Sequence, residues 1–255
     1  MNTSKLNVRA SVSDAEWETR VNLAACYRLM PMFGMSDLVY NHITARVPGD
    51  EDRLLINPYG FMYEEITASS LITINLAGDV LLNPHDHYDV NLAGYVIHSA
   101  VHGARHDVQC VIHTHSRAGM AVSALDCGLL PLTQTAMRFG AIAYHEYEGP
   151  AVDTDEQVRL TKDLGKNDAM VLRNHGLLVA AVDIAQAFNT MYWLEMACRA
   201  QIDAMACNTD LRYPSKEVIA KTAHLYRPET RRPYGVMEWP AMLRMLDRRD
   251  RSYQD

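Results

Sequence analysis

Apolar positions along the chain follow two periods, and their succession lays out the elements. Trp17, Val21, Ala24, Ala25 and Leu29 recur at helical spacing, so Ser13 to Phe33 predicts an opening helix, with Ser13 and Glu16 as a capping box and Gly34 as its stop. Two short strand-like runs follow, HITARV and LLINPYG. In the next run, LITINLAGDVLL, Gly78-Asp79 separates two apolar stretches as a hairpin turn does. This part predicts antiparallel sheet. Leu92, Ala93, Val96, Ile97 and Ala100 then trace an apolar stripe on a helix over Val90 to Ala104, and VQCVIHTH reads as a buried strand. Helix and strand alternate from there: a helix near Ala118 to Leu125, the strand AIAYH, a helix from Asp155 to Leu164, the strand AMVLRN, a turn at Gly176, the strand LLVAA and a long helix over Ile184 to Met205. The sequence shows no internal repeat and no low-complexity tract.

With 255 residues, 48% of them hydrophobic and spread evenly, the chain can bury one large core. The character changes after Tyr213, where YRPETRRPYGVMEWPAMLRMLDRRDRSYQD is rich in Arg and Pro with interspersed aromatics. Such a segment cannot build a core by itself. The expected division is therefore a globular domain over 1–212 and a tail over 213–255 that packs on the domain or on a neighbouring subunit. A formal net charge of −7 argues against a nucleic-acid binder, which usually carries a basic face, and favours a small-molecule substrate. No run approaches the roughly 18 apolar residues of a membrane span, and the N-terminal residues lack the apolar core of a secretory signal. Five cysteines, odd in number and without a C-x-x-C pair, suit reduced thiols and a cytoplasmic location.

The chemistry concentrates in histidines. His113 and His115 stand at i and i+2 at the carboxyl end of a predicted strand, so both imidazoles leave from one face, where two ligands of one ion would sit. His175 follows another apolar strand within RNHG, beside a glycine that lets the backbone come close. Taken alone, His175 reads as a capping or buried hydrogen-bonded side chain. Together, three neutral imidazoles with open positions are the usual layout of a catalytic zinc, and the same donors accept Fe(II), Mn(II) or Co(II). His98 and His102 share a helix face and could approach the site. His85 and His87 repeat the spacing in a polar loop and read as solvated residues, and His106 and His224 have no neighbour that suggests a role. Neither a dinucleotide fingerprint, nor a phosphate-binding loop, nor a G-x-S-x-G elbow is present.

The runs HITARVPG, INPYGFMYEEITASSLITINLAGDVL, YVIHSAVHGARHDVQCVIHTHSRAGMAVSAL, IAYHEYEGP and LRNHGLLVA resemble, in order and spacing, the class II aldolase/adducin head family over residues 15 to 210, with adducin-like members nearest in wording. The resemblance implies a three-layer α/β/α fold around a mainly antiparallel central sheet, a homotetramer, and one zinc ion held by His113, His115 and His175. It also implies that Asn41 contacts substrate oxygens. Two departures matter. Sugar-phosphate aldolases of this family carry two phosphate-holding serines and an acid/base glutamate where this chain has Leu92, Ala93 and Gly94, and their proton-donating tyrosine falls here near Gln134 and Thr135. Glycine moves no proton and two apolar side chains hold no phosphate. The expectation is thus a metal-dependent lyase, aldolase- or decarboxylase-like, acting on a small non-phosphorylated oxo- or hydroxy-acid, with His98, Tyr144 and His145 as candidate proton donors. The alternatives are a non-catalytic adducin-like assembly domain and a mononuclear Fe(II) oxygenase on the same scaffold.

Overall fold

The computed structural model describes residues 7–140, 142–149, 154–227, 229–230 and 233–255. In chain order the elements are α1 (Val8–Ser11), α2 (Asp14–Met32), β1 (His42–Arg46), β2 (Arg53–Ile56), β3 (Ile72–Asn75), β4 (Val80–Leu82), α3 (Leu92–Ala104), β5 (Cys110–Thr114), α4 (Arg117–Ser123), α5 (Gln134–Met137), β6 (Ala143–His145), α6 (Thr154–Leu164), β7 (Ala169–Leu172), β8 (Gly176–Ala181), α7 (Ile184–Ala206), α8 (Lys216–Leu225) and α9 (Glu238–Asp247).

The strands form one sheet in the order β4-β3-β2-β1-β5-β8-β7-β6. Every pairing is antiparallel except that of β6 with β7. The hairpin read at Gly78-Asp79 joins β3 to β4, with Gly78 at a φ of +94°, a conformation that glycine takes without strain.

Both faces of the sheet are covered, so successive strand residues are buried against different partners. Cys110, Ile112, Val171, Leu177 and Val179 join helices α2, α4, α7 and α9 in the largest apolar cluster. Val111, Met170, Leu172, Leu178 and Ala180 meet α3 and α6 on the opposite face. Near-continuous apolar strands are what a sheet sandwiched between helix layers requires. This is the α/β/α arrangement expected.

Two local readings need correction. The Ser13 hydroxyl caps α2 by accepting from the Glu16 N–H at 3.1 Å, but the Glu16 carboxylate accepts from Arg20 and Arg53, each at 3.0 Å, instead of closing a capping box. A buried ion network has taken the glutamate. In the loop after β4, His85 is half-buried: its Nε2 lies 2.7 Å from the Ser70 carbonyl and its ring packs on Phe61. His87 is exposed. All five cysteines are free, with Cys127 and Cys207 exposed. Among the described residues no helix is long and apolar enough to cross a membrane.

Candidate metal centre

β5 lies between β1 and β8, with His113 opposite His42 on one side and Leu178 on the other. Strand alternation sends Thr114 toward Met191 of α7 and sends His113 to the α3 face, and His115 leaves just past the strand end. His175 sits in the tight connection between β7 and β8, after Asn174, whose φ is +54°. That connection comes close to β5 only because residue 176 is glycine: a Cβ there would stand 2.2 Å from the Thr114 carbonyl oxygen. The glycine thus sets the separation between His175 and His115.

The three Nε2 atoms converge. His115 Nε2 lies 2.9 Å from His113 Nε2 and 3.0 Å from His175 Nε2, and the candidate ligand atoms all fall within 4.8 Å of one another. The outer nitrogens fix the tautomers. His113 Nδ1 is 3.0 Å from the Leu177 carbonyl, which can only accept, and His115 Nδ1 is 3.0 Å from an Asp37 carboxylate oxygen. With both Nδ1 atoms donating outward, the inner Nε2 atoms present lone pairs to each other at hydrogen-bond distance. Two facing lone pairs repel unless a cation lies between them. The carbonyl and carboxylate behind the rings are the kind of outer partners that metal-ligating histidines use.

Electrostatics agree with neutral rings. Burial, with His175 and His115 adding to it, holds His113 well below the usual histidine range. Burial first and His115 second push His175 down to about 4. Neutral imidazole is the form that binds a metal ion. The residues present therefore fit a divalent ion by donor type, tautomer and charge state.

The triad opens into a cavity of about 300 Å³ whose wall includes Asp37, Tyr40, His42, Asn91, Gly94 and Tyr147. Asn41 is buried beside it and its Oδ1 accepts from the His115 N–H at 3.4 Å, while its Nδ2 finds no partner among the described residues. The three candidate proton donors lie elsewhere. His98 and His102 are both fully buried on the Thr44 hydroxyl, at 2.8 and 2.9 Å, one layer behind the cavity. Tyr144 faces the other side of β6, where its hydroxyl accepts from the Leu129 N–H at 3.0 Å and its ring carries Arg173. His145 is buried against Asp163, at 2.8 Å, and Glu156, at 3.6 Å. None of the three lines the cavity. Leu92 and Ala93 have side chains outside the described set, whereas Gly94 does border the cavity. His42, Asp37 and Tyr147 escaped the sequence reading. For His42 the signal was its alternation with Thr44 on a strand, which is silent about which strand lies opposite.

A sheet end carrying three convergent imidazoles over a cavity defines a class of candidate metal-dependent α/β proteins, and the comparisons narrow it. Residues 21–202 match the family described as Class II Aldolase and Adducin N-terminal domain, and the chain belongs to that family. An aldolase II superfamily protein from Pseudomonas syringae is similar in structure, with 45% identity and a TM-score of 0.94 over 98% of this chain and 100% of that one. L-fuculose 1-phosphate aldolase from Glaciozyma antarctica is 27% identical with a TM-score of 0.82, over 100% of this chain and 97% of the other. Alpha-adducin from Rattus norvegicus is 39% identical over 89% of this chain but only 33% of its own length.

Proposed function

We propose that this chain is a metal-dependent carbon–carbon lyase acting on a small, non-phosphorylated oxo- or hydroxy-acid. The observation that carries the reading is the pair of facing Nε2 lone pairs of His113 and His115, which the Leu177 carbonyl and Asp37 aim inward, with His175 Nε2 converging on the same point 3.0 Å from His115 Nε2. In this reading those histidines hold one divalent ion, with zinc as the resident metal and Fe(II), Mn(II) or Co(II) as acceptable replacements. When bound, the ion supplies Lewis-acid charge for the enolate oxygen that develops as the C–C bond breaks. The Asn41 amide N–H, without a partner among the described residues, is available to orient a substrate oxygen.

The wall supports the choice of substrate class. No Lys or Arg lines this cavity among the described residues, and the family's two phosphate-holding serines are replaced by Leu92 and Ala93, which disfavours a phosphate dianion. A carboxylate is accommodated by the charge of the ion. By analogy with aldolases of the family, the assembly is a homotetramer, and a cytoplasmic location fits the free thiols.

Elemental analysis of the purified protein tests the core of this reading. About one equivalent of metal per chain is expected, falling to background in His113→Ala. Metal at only a few tenths per chain or less, unchanged by that substitution, would overturn both the centre and the lyase. The likeness to alpha-adducin favours a second reading, in which the domain serves assembly and has lost turnover. A metal-loaded protein that binds small hydroxy-acids but cleaves neither these nor oxo-acids would support the second reading. Dioxygen consumption by an Fe(II)-loaded protein would indicate the oxygenase instead.

A further inference from the structure

Two polar side chains beside the triad have nitrogens that no group among the described residues satisfies. One is the Asn41 amide already described. The other is His42, which is 4% exposed and has both ring nitrogens without a hydrogen-bond partner. The backbones of Tyr40 and Gly94 lie close enough to favour a protonated ring, yet neither makes a hydrogen bond of normal geometry with it. An unsatisfied buried polar group is costly, and folded proteins keep few of them. A polar group in a cavity wall is the exception, because a ligand can complete it.

The place of His42 is built from several sides. It stands opposite His113 across the β1–β5 pairing, with ring centroids 5.7 Å apart. Its ring packs on His98 at 4.2 Å, and His98 is held in turn by Thr44. On the remaining side lies Gly94 of α3, where a Cβ would fall 2.2 Å from His42 Cε1 and 2.5 Å from Nδ1. The imidazole thus fills the space that any side chain at position 94 would need. Glycine at 94 and histidine at 42 are a matched pair.

We propose that His42 is a substrate-contacting residue of this cavity, engaging a hydroxyl of a non-phosphorylated hydroxy-acid, and that Gly94 is glycine in order to admit its ring. This rests on the lyase reading for the identity of the ligand. A neutral imidazole both donates and accepts, as a hydroxyl does.

The test uses zinc-loaded protein, with glycolate and acetate as probes that differ by one hydroxyl, titrated calorimetrically. His42→Phe removes the nitrogens and keeps a ring. Gly94→Ala leaves every polar group in place but drives the His42 ring aside. Both are expected to retain zinc by elemental analysis and to lower the glycolate-to-acetate affinity ratio about tenfold, roughly the worth of one well-placed hydrogen bond. His42→Gln, which keeps a donor and an acceptor, is expected to recover part of the ratio. Chelation by glycolate is common to all variants and drops out of the comparison. An unchanged ratio in either zinc-retaining variant would overturn the assignment. A wild-type protein that takes up no zinc would overturn the lyase reading instead, and His42 is then judged by the same ratio in the metal-free protein.

Discussion

Buried histidines dominate the residue scale. Burial, ahead of all other causes, pushes His42 to about 4 and His102 to about 3, and holds His98 and His113 well below the normal range. In the unfolded chain each titrates near 6.5. Between that value and the folded one the unfolded state binds more protons, so stability is fully present above pH 6.5 and is lost as pH falls toward 3–4. Each such group adds a slope of about 1.4 kcal/mol per pH unit. Urea midpoints of the metal-free protein should be level near pH 7 and then drop steeply from pH 6.5 to 4.5; a midpoint that stays level across that interval would refute the claim. The H-x-H pair was legible because strand period alone puts both side chains on one face. His42 was not, since its role depends on the β1–β5 register and on an absent Cβ in α3, neither of which a local pattern encodes.

Elements were easier to read than their tertiary partners. The periodicity that predicts Ser13 to Phe33 is seen as α2 over Asp14–Met32, and the long helix over Ile184 to Met205 as α7 over Ile184–Ala206. The polar residues of α2 were harder to read. Arg20 is fully buried, and besides Glu16 it donates to the carbonyls of Ala68 and Leu71, at 3.3 and 2.8 Å, and to the Thr73 hydroxyl. One side chain thus ties α2 to the loop before β3 and to β3 itself. Arg20→Met would leave the Glu16 carboxylate with Arg53 alone and two buried carbonyls short of a donor. The expected loss is about 3–5 kcal/mol, read as a lower urea midpoint at pH 7. Because the penalty comes mainly from stranded charge, adding Glu16→Leu should recover part of it, and a double variant no better than the single one would argue against that cause. Helical period made this helix legible, but no local rule says that a charged position on it faces inward.

At the scale of the whole molecule, the Arg- and Pro-rich end raises the question of what it covers. Helix α8 buries no side chain, but α9 buries Trp239 and Leu246, and Tyr253 follows them into the same cluster. Trp239 donates from Nε1 to Asn22 of α2 at 2.8 Å and meets Phe188 of α7 with ring centroids 5.8 Å apart. Arg28 of α2 reaches Asp250 and Ser252, both at 3.1 Å. Sequence could say that this segment lacks a core of its own and packs on the domain or on a neighbouring subunit, but not where; the anchor includes Trp239, whose partners come from α2 and α7. All of these contacts lie on the α2/α7 face, whereas strand alternation puts His113 on the α3 face and the Nε2 atoms of His115 and His175 converge there with it. Stability and metal binding should therefore separate. Trp239→Ala removes a buried ring and is expected to cost about 3–5 kcal/mol, seen as a lower melting temperature, while metal per chain at 15 °C stays at the wild-type value. Loss of the metal in the still-folded variant would show that the sheet couples its two faces more tightly than the packing implies.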